Sequence, residues 1–222
     1  MDGSERLFDA VRHGNAGEVG RLLDGEPALL GARRSGVSAI LFAVYVRHPG
    51  IARLFLDRGA DPDVFEASAT GEVGALERLL TEDPSRANAV AEDGFTPLGL
   101  AAFFRHRDAL RLLLARGAEV NRASRNSQRV APLHSAIAGG DEGIVADLLA
   151  RGADVHARQD LGFTPLHNAA AEGNETIIRL LLDHGADRSA VSDSGATAEQ
   201  IARERGHGAA AELLYAGGEV ST

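Results

Sequence analysis

The chain has 222 residues, a length that fits one large domain or two small ones. It has no cysteine, which excludes disulfides, thiolate nucleophiles and cysteine-ligated zinc together. A formal charge of −9, from 23 basic and 32 acidic residues, argues against a sequence-independent grip on nucleic acid or anionic lipid.

All 23 bases are arginine, and with the abundance of Ala and Gly this points to a GC-rich, bacterial genome. The opening Met1-Asp-Gly-Ser-Glu-Arg6 is polar, without the apolar centre of a secretory signal, and no run reaches membrane-spanning length. The expectation is a soluble cytoplasmic chain. Aromatic residues are scarce while Leu and Ala abound, which suits thin, closely packed helices.

A period of thirty-three residues orders the rest: Thr164 to Thr197 is one step, and one step before Thr164 lies Ala131. In chain order, a first unit starts near Glu5, keeps Leu7, Ala10 and Gly14, and closes with Val19, Leu22 and Leu23. A second runs from Ser38 to Gly59-Ala-Asp61, with Arg47 where Gly is expected. A third, aligned on Gly71, Leu76, Leu79 and Leu80, starts at Pro62 and lacks nine residues of the preceding connection. The fourth opens at Thr96-Pro-Leu98, with Gly99 in a His slot and Arg105 in the Gly slot. The fifth opens at Ala131-Pro-Leu-His134, after a connection with two extra residues over 121–130. The sixth is the template, Thr164-Pro-Leu-His167 to Gly185-Ala-Asp187. The seventh, from Thr197 to Leu213-Leu214, reads as a closing cap, with a frayed tail over 216–222.

Within a unit, Thr and Pro suit a helix start, the hydroxyl capping free amides and Pro sitting where no amide partner exists. Gly at position nine ends this short inner helix in a left-handed conformation. An outer helix follows with an apolar stripe, Ile177, Ile178, Leu180, Leu181 and Leu182 in the sixth unit. One unit buries little alone, and only stacking makes a core.

The period and the Thr-Pro-Leu-His-x-Ala signature resemble the ankyrin-repeat family over nearly the whole chain. The resemblance implies an all-α solenoid of about seven stacked helix-turn-helix units forming one domain over 1–222. Finger loops project between units, and the finger between units two and three is expected to be absent. It also implies that His134 and His167 tie neighbouring turns by hydrogen bonds. His13, His48, His106, His184 and His207 fall near helix ends, where a basic ring suits the dipole or solvent. No zinc spacing, phosphate loop or nucleophile elbow appears, so neither a cofactor nor a metal is expected. Asn174-Glu175-Thr176 is a chance sequon.

In this family the finger tips and the exposed side of the inner helices form a concave face that meets partners. On this register the face carries Tyr45, Val46, Phe95, Phe103, Phe104 and Phe163, large side chains that the stacking does not require. Phe95 and Phe163 are equivalent, so packing between adjacent fingers is the alternative for them. Arg105, Arg125 and Arg129 add a local basic patch, with a solvated cluster as its alternative. The omitted finger would leave a notch at Ala69 and Thr70, between Tyr45 and Phe103, open to a partner's helix or loop.

The function expected is non-catalytic binding of another protein, one with an apolar segment flanked by acidic residues, by a monomer that binds neither nucleic acid nor membrane. The alternatives are an inhibitor or regulator of an enzyme encoded nearby and, with least support, an enzyme with a grafted site.

Overall fold

The computed structural model describes residues 2–215. Among them are fourteen α-helices in two rows. The inner row is α1 (Gly3–Arg12), α3 (Ala39–Tyr45), α5 (Val64–Thr70), α7 (Pro97–Phe103), α9 (Pro132–Gly139), α11 (Pro165–Glu172) and α13 (Ala198–Glu204). The outer row is α2 (Ala16–Gly25), α4 (Pro49–Asp57), α6 (Val73–Glu82), α8 (Arg107–Ala115), α10 (Glu142–Ala150), α12 (Glu175–Asp183) and α14 (Gly208–Tyr215). The fold is all-helical apart from a minimal hairpin, β1 (Arg33–Arg34) paired antiparallel with β2 (Val37–Ser38).

Local chemistry explains the short inner helices. Ser38 Oγ accepts the Leu41 amide at 3.1 Å and Thr96 Oγ1 accepts that of Gly99 at 3.1 Å, while Pro97, Pro132 and Pro165 occupy the first helical position. The left-handed turn that ends each inner helix is Gly at 14, 71, 140, 173 and 206, and arginine at 47 (φ 64°) and 105 (φ 63°). The third unit departs from its expected register. Asp63, not Pro62, caps α5, and Glu66 closes a capping box by accepting the Asp63 amide at 2.7 Å. That helix therefore reaches Gly71 one residue sooner than its neighbours reach their turns. The first inner helix also begins earlier than expected, at Gly3, capped by Asp2.

Two large buried clusters hold the stack. One joins α1 to α4 around Phe8, Leu23, Ile40 and Phe55, and the other runs from α5 to α14 through Leu80, Leu113, Leu148 and Leu181. A small third cluster, Leu41, Ala69 and Leu100, bridges them, with Tyr45, Phe65, Phe95 and Phe104 packed against it. The outer row is weakest between α4 and α6.

The connection from α4 to α5 is residues 58–63, whereas residues 116–131 connect α8 to α9. The longer connections are tied in series by single backbone bonds: Arg125 donates to the Gly94 carbonyl, Asp160 to Gln128 and Asp193 to Leu161, at 2.9, 2.9 and 3.0 Å. Next to the short connection, Gly36 of the first hairpin instead lies against the Glu92 side chain. The expected frayed tail, 216–222, lies outside the described residues.

Candidate interaction face

The third residue of the inner helix differs among α7, α9 and α11. In α11 this is His167, fully buried, whose Nε2 donates to the Ala196 carbonyl at 3.1 Å while Nδ1 accepts the Thr164 amide at 3.1 Å. In α9 it is His134, equally buried, directed at the carbonyls of Phe163 and Ala157 without reaching hydrogen-bond geometry. The expectation that both imidazoles tie neighbouring turns thus holds for His167 alone. Ala131 explains part of the difference, because it lacks the hydroxyl that stands 2.8 Å from Nδ1 in α11. Burial pulls His134 down to about 4, and lowers His167 as well, so both rings are neutral at pH 7.

In α7 the same position is Gly99, which carries no side chain to occupy the imidazole's place, with Thr96 Oγ1 and Ser135 Oγ beside it. A cavity of about 590 Å³ opens there, lined by Gly99, Leu100, Val130 and His134 and by five rings, Tyr45, Phe95, Phe103, Phe104 and Phe163. The structure thus gathers rings spread over more than a hundred residues of sequence around one space. It also corrects the expectation that stacking does not need them. Tyr45, Phe95, Phe104 and Phe163 are half-buried, and only Phe103, at 43 %, is exposed. Tyr45 stacks on Phe104 with centroids 6.1 Å apart, Phe103 meets Phe104 edge-on at 5.0 Å, and Phe163 lies flat against His167 at 5.6 Å.

The Tyr45 hydroxyl donates to Asp93 at 2.7 Å, across the place where the second connection is short. Burial first, and the Asp93 carboxylate second, push this phenol well above its ordinary value, so it remains a donor. On the finger side, then, the expected notch is closed by Tyr45 and its packing. On the turn side it stays open as a second cavity of about 770 Å³, which includes Ala69 and Thr70 and shares Tyr45, Phe103, Phe104 and Ala138 with the first.

Arg47 and Arg105 line this second cavity, both exposed and without an ion pair to any described residue. Glu72, which also lines it, is held by Arg53 at 3.0 Å. Val46 is half-buried against the first cluster and lines neither cavity, and Arg125 and Arg129 are exposed on the connection above, outside both linings. Two small residues at the second cavity are committed to packing. Ala69 is 1 % exposed, and a Cβ on Gly139 would stand 2.6 Å from the Phe103 carbonyl.

His106 and His207 also have a role that helix-end electrostatics did not suggest. Each immediately precedes an outer helix, and each Nε2 reaches a carbonyl of the preceding unit, Ala69 at 2.9 Å and Ala171 at 3.1 Å. Both rings lie over that unit's turn glycine, Gly71 and Gly173.

Leu161 was missed. It is 63 % exposed at the mouth of the first cavity, in a left-handed conformation with φ 59°. The signal was available in the sequence, since the residue before the connection's glycine is Asp93 or Ser194 in equivalent units and leucine only here. Among the described residues no group of three or more His, Asp or Glu side chains is placed to hold a metal ion. No described helix is long and apolar enough to cross a membrane.

Comparison with known proteins agrees with this architecture. A model of three ankyrin repeats matches residues 133–222 and a single ankyrin-repeat model matches 93–125. The Ankyrin repeat and SAM domain-containing protein 6 of Mus musculus is 35% identical over 103 residues, 46% of this chain and 12% of that protein. The human Ankyrin repeat and SOCS box protein 16 is 37% identical over 121 residues, 51% of this chain and 26% of that one. A Probable E3 ubiquitin-protein ligase XBOS31 of Oryza sativa subsp. japonica is 38% identical over 94 residues, 42% of this chain. The chain spans no more than 26% of the length of these relatives. Ankyrin repeats are protein–protein interaction modules. With repeat matches over more than half its length and paired helices throughout the described residues, the chain belongs to the ankyrin-repeat family.

Proposed function

We propose that this chain is a non-catalytic binding module, one array of seven ankyrin-like units over 1–222 with the finger between the second and third omitted. It holds a partner protein on the face formed by inner helices and fingers. The observation that carries this is the ring-lined cavity beside Gly99, which adjoins a second cavity flanked by free arginines. Apolar side chains that remain accessible beside a polar rim are a common setting for recognition. The partner suited to it has an apolar segment beside acidic residues, and the module acts as a cytoplasmic monomer. The ligase name in the rice relative belongs to a protein of which this chain covers 21%, and no ligase chemistry is carried over.

Affinity capture from the source lysate tests the proposal. Wild-type protein should retain specific proteins that Phe103→Ala does not, with the variant's circular dichroism unchanged because this ring is the most exposed of the five and lies outside the buried clusters. Equal capture by the two forms would remove the concave face from consideration.

A further inference from the structure

Five described residues other than glycine adopt a left-handed backbone, and three of them, Arg47, Arg105 and Leu161, line the two adjoining cavities. A side chain in this conformation is strained against its own backbone, which glycine avoids. Five of the seven inner-to-outer turns use glycine, so the fold itself does not ask for arginine at the other two. Backbone strain that persists where a strain-free residue would serve points to a use for the side chain.

Charge supplies the second argument. Along the outer row, Arg53, Arg78, Arg107, Arg111 and Arg179 each face a carboxylate within ion-pair distance. Nine arginines face none among the described residues, and of these Arg47 and Arg105 are the two that line the cavities described, in a chain whose net charge is −9. The acidic side chain lining their cavity, Glu72, is engaged by Arg53. At the far mouth, beside Leu161, stands Asp160, which repels a carboxylate.

We infer that the face takes a peptide segment of a partner protein with a fixed polarity, acidic residues between Arg47 and Arg105 and a large apolar side chain in the ring-lined cavity against Leu161. This rests on the concave-face binding proposed above and adds to it the chemistry and direction of the occupant. Phe103 and Phe104 separate the two halves, so an acidic and an apolar residue must both be present for the segment to span them.

A random peptide library displayed on phage and selected against the full chain tests this, with fluorescence anisotropy of the enriched peptides. Enriched sequences should pair Asp or Glu with an aromatic or long aliphatic residue a few positions away. Arg47→Gly with Arg105→Gly should weaken their binding by roughly tenfold or more and flatten its salt dependence, as loss of two charge contacts does. Leu161→Asn should weaken it several-fold. Each variant should melt at the same temperature as the wild type or higher, because left-handed strain is relieved. Three results would overturn the inference: no enriched peptide, enriched peptides without acidic residues, or unchanged binding by the arginine variants. Loss of binding together with loss of stability would mark the arginines as structural and overturn it too. If enriched peptides ignore the arginines but still need Phe103, the concave-face function survives without this polarity.

Discussion

Gly99 and Gly139 lie on adjacent inner helices and carry opposite instructions. A Cβ at 99 would meet only side-chain oxygens, at 3.2 Å from Thr96 and 3.5 Å from Ser135, whereas at 139 it would press on the α7 backbone. Gly99→Ala should therefore stabilise by about 0.5–1 kcal/mol, the ordinary gain within a helix. Gly139→Ala should destabilise by about 1–3 kcal/mol through overpacking, and paired urea titrations would check the two signs. At His134 burial fixes the direction of a pH effect. Its folded pKa lies near 4, below the unfolded value of 6.5, so the stabilising balance is complete above pH 6.5 and is lost as pH falls towards 4. This group contributes a slope of at most about 1.4 kcal/mol per pH unit in that window. His134→Gln should flatten the curve of urea midpoint against pH. A residual slope of the same sign should remain from His106 and His167, opposed by Glu66, whose burial raises it.

At the scale of elements, the helix pairs were legible because their signals are local: Thr-Pro openings, glycine turns and leucine stripes all lie within one period. The half-burial of the rings was not. Tyr45 is fixed by Asp93 and Phe104, both two units away, and no spacing within a repeat reports a contact between repeats that are not neighbours in sequence. The one-residue shortening of the step from cap to turn in the third unit, Asp63 to Gly71, was hidden for a related reason. Alignment on Gly71 located the helix end, and the start then depended on whether Pro62 or Asp63 capped it, which the Glu66 side chain decides. Tyr45→Phe removes the hydroxyl that joins α3 to the residues preceding α7 and leaves Asp93 without it. The expected cost is about 1–2 kcal/mol, as for other partly buried bonds to a charged acceptor, with the ring stacking kept. A drop in thermal midpoint with unchanged far-ultraviolet circular dichroism would check it.

Across the whole molecule, stability is a chain of interfaces between neighbours, and one of them is unlike the others. The buried clusters of α1–α4 and of α5–α14 are joined through Leu41, Ala69 and Leu100. Leu100→Ala should cost roughly 2–4 kcal/mol, the range for emptying a buried leucine site, and most of that loss should fall on the joint. Hydrogen exchange should then show α1–α4 opening before α9–α12, where wild-type protein protects both more evenly.

The same joint lies where Gly36 touches Glu92 in place of the backbone bond that ties later connections together. Pulled by its two ends, the array should part there first, extending in two stages rather than unit by unit. An occupant gripping Arg47 on one side and Phe163 on the other would act as a splint, and its presence should raise the load at which the first stage yields.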